Sequence, residues 1–248
     1  MRDAIRMAAD MIREADFVTA FTGAGISVDS GLPAFRRDDA FWNFYDPRCV
    51  ELASFLADPG GAWIHLREIF YDAFTQAAPN EGHYALVEME AGGHLDAIIT
   101  QNIDNLHEKA GSRHIHEFHG SVRQLACIGC GARCSVAGVD LCRLPPHCRF
   151  CGGVLKPDFV FFGESISDAA ESDAVETAEL SDLILVVGAS GEIQPACYIP
   201  FVAAENGARI VEINPQHSTY TFSITDLFLQ GAASDVLEEL MENLDERP

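Results

Sequence analysis

Four short apolar runs, separated by stretches of helical pattern, constrain the fold of this chain more than any other feature. They occupy residues 17–21, 97–100, 183–187 and 209–213. A run that is apolar at nearly every position is typical of a strand covered on both faces, as in a parallel sheet packed between helices. The sequence therefore predicts an α/β fold built on a doubly wound parallel sheet.

Helical patterns alternate with these runs, and two segments interrupt the alternation. Helices are predicted near residues 4–15, 80–91, 168–180 and 233–244. Residues 37–76 are rich in aromatic side chains and predict a helical module, whereas residues 123–154 contain two cysteine pairs. We interpret both segments as insertions into a single domain of 248 residues, since a chain of this length fits one domain. The large part of this domain would comprise residues 1–36, 77–122 and 155–248.

The chain is strongly acidic, with a formal net charge of −22 and a pI near 4.5. Such a surface repels phosphate backbones, so nucleic-acid binding is not expected, whereas cationic peptides would be attracted. The same acidity also fits solubility or life at high salt, and composition leaves that alternative open. Charges spread over the first 16 residues exclude a secretory leader. We therefore expect a cytoplasmic protein that has no membrane partner, and we favour a monomer.

Two C-x-x-C pairs predict a metal site. Cys127 and Cys130 form the first pair, and Cys148 and Cys151 form the second after 17 intervening residues. Two such pairs can place four thiolates tetrahedrally around Zn²⁺, and four protein ligands leave no open position for a substrate. The sequence therefore predicts one structural zinc ion. Two further cysteines inside the same segment, at positions 134 and 142, could compete as ligands.

A glycine turn follows the first apolar run. Gly23 and Gly25 belong to an incomplete dinucleotide-binding pattern, because Val28 stands where a third glycine is expected. Glycines allow backbone N–H groups to approach a diphosphate, and Arg36 further along could add a planar cationic group. The turn alone is weak evidence for a nucleotide site.

Polar side chains follow the second apolar run, at residues 101–107. The carboxyl ends of parallel strands are where open α/β sheets bind ligands. A helix-capping turn would account for Asn102 or Asp104 but not for the whole series. His119 comes soon after, and its spacing alone does not distinguish it from the other histidines nearby.

Taken together and in this order, these motifs resemble those of the sirtuin family. The matching segments are residues 23–27, 30–36, 100–104, 119–120, both cysteine pairs, 156–164, 187–190 and 213–214. The resemblance covers nearly the whole chain and implies a Rossmann-like large part with an inserted structural zinc ribbon and helical module. It also implies an NAD-dependent enzyme that removes acetyl, or longer aliphatic acyl, groups from protein lysine side chains. The products would be nicotinamide, deacylated lysine and O-acyl-ADP-ribose.

The resemblance implies a role for each matching residue. His119 matches the general base, a task suited to an imidazole because its ordinary pKa lies near working pH. Asn102 and Asp104 match residues that hold the ribose, a water and the nicotinamide. The implied NAD contacts are Gly23, Ala24, Gly25, Phe35, Arg36, Gln101, Asn102, Ile103, Asp104, Gly188, Ser190, Asn214 and Ala233. The implied contacts with the acyl-lysine substrate are Val160, Phe161, Gly163, Glu164, Gly191, Glu192 and Ile193, and the last five of these would clamp the peptide backbone.

Three positions depart from the family pattern. Ala34 stands where the family usually has Asp, Ala189 where it has Thr or Ser, and Gly191 where it has Leu. The change at Ala34 could alter closure of the cofactor loop or the handling of nicotinamide. Glycine is the most flexible residue, so Gly191 is expected to soften the peptide clamp.

The helical module predicts the acyl preference. Sirtuins that prefer succinyl or malonyl carry a Tyr-x-x-Arg pair there, whereas alignment on Trp63 places Leu66 and Ile69 at those positions. The Tyr-x-x-Arg at residues 45–48 comes too early in the chain to match that pair. We therefore expect neutral acyl groups, acetyl first.

Two alternative functions remain open. The same site could transfer ADP-ribose to proteins or hydrolyse NAD, and only product analysis would separate these reactions from deacylation. A zinc-ribbon module that merely senses NAD is the second alternative, against which the intact set of Asn102, Asp104 and His119 argues.

Overall fold

The computed structural model describes residues 2–33, 46–74 and 76–245. Its strands are β1 (Val18–Thr22), β2 (Ala97–Thr100), β3 (Ile115–Glu117), β4 (Gly120–Cys127), β5 (Arg133–Ser135), β6 (Leu155–Phe159), β7 (Leu183–Val187), β8 (Arg209–Asn214) and β9 (Leu227–Gln230). Its α-helices are α1 (Arg2–Glu14), α2 (Leu52–Ala57), α3 (Pro59–Leu66), α4 (Glu81–Ala91), α5 (Leu106–Ala110), α6 (Asp168–Leu180), α7 (Ile199–Glu205) and α8 (Ala233–Asp245). None of the described helices is long and apolar enough to cross a membrane.

Six strands form a parallel sheet in the order β3-β2-β1-β7-β8-β9. Every residue of β1, β2 and β7 is buried, which is why these segments read as continuous apolar runs. The strand order reverses between β1 and β7, and open α/β sheets bind ligands in the crevice beyond the carboxyl ends of the strands at such a reversal. The predicted doubly wound α/β fold is confirmed, and the reversal fixes where its ligand site should lie.

Helices cover both faces of this sheet. On one face, α1, α4 and α8 pack together over a core that includes Ile12, Leu86 and Leu240. On the other face, α6 and α7 pack on a core that includes Phe21 and Ile184. The amphipathic pattern of α1, with five buried residues on one side, explains why its helical character is visible in the sequence.

A smaller antiparallel sheet, in the order β5-β4-β6, stands beside the helical module. The module comprises α2, α3 and a π-helical turn over Arg67–Ala73. Trp63 is fully buried and its indole N–H donates to the Leu155 carbonyl over 2.7 Å, so module and sheet share one core. Strand β4 begins before residue 123 and β6 lies wholly after residue 154, so the smaller sheet is not contained in residues 123–154. The division of the chain into parts stays a prediction.

Candidate active site and metal centre

The four cysteines of the two C-x-x-C pairs lie together at the tip of the smaller sheet. Their Sγ atoms all lie within 4.8 Å of one another, with Cys127 and Cys151 3.4 Å apart and Cys130 and Cys148 3.8 Å apart. A tetrahedral zinc ion with bonds of about 2.3 Å requires sulfur–sulfur distances of about 3.8 Å. The four thiols therefore fit one Zn²⁺ ion, as predicted.

Backbone N–H groups support this cluster from behind. Gly129 donates to the Cys127 sulfur, Phe150 to the Cys148 sulfur and Gly153 to the Cys151 sulfur, each over 3.4 Å. Such donors orient metal-bound thiolates and offset part of their charge. Neither Cys134, which pairs with Leu125 across the β4–β5 ladder, nor the exposed Cys142 belongs to the cluster found among the described residues.

The glycine turn after β1 packs against the turn after β7. The Gly23 amide donates to the Val187 carbonyl over 3.0 Å, and the Gly25 amide donates to the Gly188 carbonyl over 2.9 Å. A Cβ atom on Gly25 would lie 2.6 Å from the Gly188 Cα atom, closer than two carbon atoms approach without repulsion. These glycines are therefore required for contact between two loops, and the Gly25 N–H is already used within the protein.

Asn102 and Asp104 lie in the loop after β2 and form hydrogen bonds with the segment that follows β1. The side-chain amide of Asn102 donates to the Gly23 carbonyl over 3.1 Å. The Ser27 hydroxyl donates to Asp104 over 2.7 Å, and the Leu106 amide donates to the other carboxylate oxygen over 2.9 Å. Burial raises the pKa of Asp104, although these hydrogen bonds oppose the shift. The two side chains thus hold the cofactor-side loops in place at the crevice.

His119 has a defined tautomer. Its Nδ1 atom lies 3.0 Å from the Gln101 carbonyl oxygen, which can only accept, so Nδ1 carries the proton. The lone pair therefore resides on Nε2. Burial lowers the pKa of His119 below its ordinary value, while the bond to Gln101 raises it. A neutral imidazole with a free lone pair has the protonation state that a general base requires.

The residues predicted for the far end of NAD lie beyond the β7 and β8 ends. The Asn214 side chain donates to the Ala189 carbonyl over 3.1 Å and to the Glu212 carboxylate over 3.0 Å. Ala233 is buried at the start of α8, and Ser190 is half-buried. Ala24 and Ile103 are also half-buried in the loops after β1 and β2. Phe35, Arg36 and the divergent Ala34 lie outside the described residues.

Residues predicted for the substrate lie on two loops. In the first, the Val160 amide donates to the His119 carbonyl over 2.9 Å, and Phe161 is buried. The Phe162 amide donates to the Val50 carbonyl over 2.8 Å, which joins this loop to the helical module. Gly163 and half-buried Glu164 follow in the same loop. The second loop, after β7, includes half-buried Gly191 and the exposed residues Glu192 and Ile193.

The space beside the divergent Gly191, where another residue would have its side chain, is occupied by side chains of another loop. The φ of Gly191 is +74°, and a Cβ atom there would overlap the Thr219 hydroxyl oxygen and lie 3.0 Å from the Tyr220 ring. The Thr219 amide donates to the Ser190 carbonyl over 3.2 Å, and its hydroxyl donates to the Gly191 carbonyl over 3.1 Å. Neighbouring side chains thus supply the packing that we expected the glycine to lose.

Sequence reasoning missed a buried polar network behind the site. The side-chain amide of Asn80 donates to the Ile26 carbonyl over 2.7 Å and to the Ser30 hydroxyl over 3.0 Å. These bonds anchor the short helical segment Ala24–Ser30, which begins in the glycine turn. His83 bonds Asn80, and its ring lies 5.0 Å from that of His107. Burial lowers the pKa of His83 to about 4 and that of His107 to about 3. Polar residues on the covered side of a helix were the available signal.

Comparison with known proteins agrees with this geometry. The family model described as Sir2 family matches residues 23–195. The chain belongs to the Sir2 family. One relative is NAD-dependent protein deacylase 2 of Pyrobaculum aerophilum, 44% identical over 245 residues that cover 96% of this chain and 95% of that protein.

Solved Sir2 structures share the fold. A crystal structure of a Sir2 homolog–NAD complex is 36% identical, with a TM-score of 0.89, and the match covers 96% of this chain and 93% of that one. A Sir2 mutant bound to a deacetylated p53 peptide and 3′-O-acetyl-ADP-ribose is 28% identical, with a TM-score of 0.87, and the match covers 96% and 97% of the two chains. The Sir2 fold therefore extends over nearly the entire chain.

Proposed function

We propose that this Sir2-family protein removes acetyl groups, or longer aliphatic acyl groups, from lysine side chains of proteins or peptides in an NAD-dependent reaction. One observation carries the proposal: the neutral His119, fixed by the Gln101 carbonyl, lies on the chain segment that also positions Val160. This arrangement supports a role for His119 as the general base beside the predicted acyl-lysine site. We also propose a cytoplasmic location.

When bound, NAD supplies the ribose carbon that accepts the acyl oxygen as nicotinamide departs. Asn102 and Asp104 would orient the loops around NAD, because their side chains form hydrogen bonds with the Gly23 carbonyl and the Ser27 hydroxyl. His119 takes a proton at Nε2, because Nδ1 already holds one against Gln101. The resulting imidazolium keeps that bond, which stabilises its charge.

The side chains at positions 66 and 69 support a preference for neutral acyl groups. Leu66 and Ile69 are both almost completely buried in the apolar core that contains Phe161 and Phe159. Leu66 and Ile69 thus provide no positive charge that could pair with the carboxylate of an acidic acyl group. An unpaired carboxylate beside them would lose hydration without compensation.

Nicotinamide release tests this proposal. The purified protein is incubated with NAD, with and without an acetyl-lysine peptide, alongside His119→Ala and the exposed-site control His65→Ala. We expect steady-state release that depends on the peptide in wild type and His65→Ala, and a loss of at least about a hundredfold in the steady-state rate of His119→Ala, because turnover stops when the base is missing. Release of nicotinamide that does not depend on the peptide would favour NAD hydrolysis. Equal release rates in His119→Ala and His65→Ala would show that His119 is not the general base.

A further inference from the structure

Lys156 is one of two lysines in the sequence, and it is buried on β6. Its exposed fraction is 5%. Its ammonium donates to the Pro157 carbonyl over 2.9 Å, to the Phe159 carbonyl over 2.8 Å and to the Glu164 carboxylate over 2.9 Å. An ammonium has three N–H groups, so each of them has an acceptor.

These acceptors lie at the two ends of one short loop. Glu164 uses the same carboxylate oxygen to accept from the Phe161 amide over 2.9 Å, and its own amide donates to the Phe161 carbonyl over 2.9 Å. The carboxylate of Glu164 therefore faces Lys156 and the loop backbone. The bonds of Lys156 draw residues 157–164 into a closed turn around its ammonium.

The aromatic side chains of this loop pack against the same ammonium. The Lys156 nitrogen lies 4.1 Å from the centre of the Phe161 ring and 5.9 Å from that of Phe159, distances at which a cation is attracted to a ring face. Phe161 in turn contacts Phe55 edge to face at 5.5 Å. Lys156 thus sets the position of Phe161 as well as that of the backbone.

This loop reaches the proposed general base directly, because the Val160 amide donates to the His119 carbonyl over 2.9 Å. A shift of the loop would therefore change the distance between its walls and His119. Removing the ammonium would leave the Glu164 carboxylate and two carbonyls without their shared donor, and such groups rearrange toward water.

We propose that Lys156 is a positioning residue for the acyl-lysine site, since it holds Val160 and Phe161 in place beside His119. The inference rests on the proposed function. Lys156 acts through the loop and does not itself contact the reacting atoms. Its loss should therefore weaken peptide binding and leave NAD binding unchanged.

Two measurements test the inference: equilibrium binding of a fluorescently labelled acetyl-lysine peptide, and KM values for peptide and for NAD. The variants are Lys156→Met, Lys156→Arg and Glu164→Gln. The control Arg133→Met breaks the ion pair between Arg133 of β5 and Asp158 of β6, two strands that flank β4, and the Arg133 side chain is 68% exposed. We expect the Met variant to weaken peptide binding about tenfold, the size of effect typical of losing a hydrogen bond to a charged group. The KM for NAD should stay within about twofold, Lys156→Arg should recover part of the affinity, and Arg133→Met should match wild type.

Two results would overturn the inference. One is peptide affinity within about twofold of wild type in a Lys156→Met protein that melts like wild type. The other is an equal rise in both KM values, which would indicate general damage to the fold. If Lys156→Met does not fold, Glu164→Gln decides by the same criteria. It leaves the Glu164 backbone that is predicted to clamp the peptide unchanged, and it removes the charge of a side chain that faces Lys156 and the Phe161 amide. A wild-type protein that binds the peptide without deacylating it would refute the proposed function while leaving this comparison valid.

Discussion

Replacement of Gly191 by alanine provides the sharpest test of how the loop after β7 is held. Two costs can be separated. A φ of +74° is unfavourable for any residue with a Cβ atom by about 1–2 kcal/mol. Overlap of the added methyl group with the Thr219 hydroxyl, together with its contact at 3.0 Å with Tyr220, adds an overpacking cost of about 1–3 kcal/mol.

Gly207→Ala isolates the first cost. Gly207 has a φ of +98°, and a Cβ atom there would meet nothing within 4 Å. In a chain of this size, 1 kcal/mol corresponds to about 2–4 °C in Tm. Gly191→Ala should therefore melt roughly 2–12 °C below Gly207→Ala by calorimetry.

The double variant Gly191→Ala, Thr219→Ala should recover part of this difference, because the atom in the closest contact is removed. Equal melting temperatures for the two single variants would refute the reasoning. They would mean that the loop carrying Thr219 and Tyr220 moves away from Gly191 without cost.

Three further predictions concern the metal site, the buried histidines and the substrate. Cys127→Ala should purify with no zinc by elemental analysis, whereas Cys142→Ala should keep one ion per chain; equal zinc content would contradict the assigned ligands. His83 and His107 have folded-state pKa values of about 4 and about 3, below the ordinary 6.5. As the pH drops below about 6.5, these histidines are therefore protonated in the unfolded chain before they are protonated in the folded protein. The free energy of unfolding should fall by up to about 1.4 kcal/mol per pH unit for each histidine. Urea unfolding at several pH values should show a shallower slope for His83→Gln than for wild type or the exposed-site control His65→Gln, and identical slopes would be incompatible with a buried neutral pair. The kcat/KM for an acetyl-lysine peptide should exceed that for the matching succinyl peptide by at least about tenfold. A preference for the succinyl peptide would contradict the expectation that apolar side chains at positions 66 and 69 favour neutral acyl groups.

The central fold was predictable because its strands are apolar on both faces. The runs at 183–187 and 97–100 coincide with β7 and β2, and the predicted helix at 168–180 coincides with α6. The short edge strand β3 is only half-buried at each of its residues, so it has no apolar run to reveal it. The edge strand β9 is likewise only partly covered.

The candidate site was predictable only in part. Cysteine spacing depends on coordination chemistry and therefore indicated the metal cluster from local sequence alone. The contact of Gly191 with Thr219 depends on how two loops distant in the chain pack together, and the contact of Lys156 with Glu164 depends on the path of the loop between them. No local pattern encodes such packing, which explains why Gly191 was expected to loosen a loop that Tyr220 in fact covers.

The mass of the product formed from NAD tests the central claim most directly. Wild-type protein is incubated with NAD and an acetyl-lysine peptide, and both the peptide and the nucleotide products are identified by mass spectrometry. The account predicts free lysine peptide together with O-acetyl-ADP-ribose in equal amounts. ADP-ribose attached to protein, or free ADP-ribose with the peptide still acetylated, would contradict it.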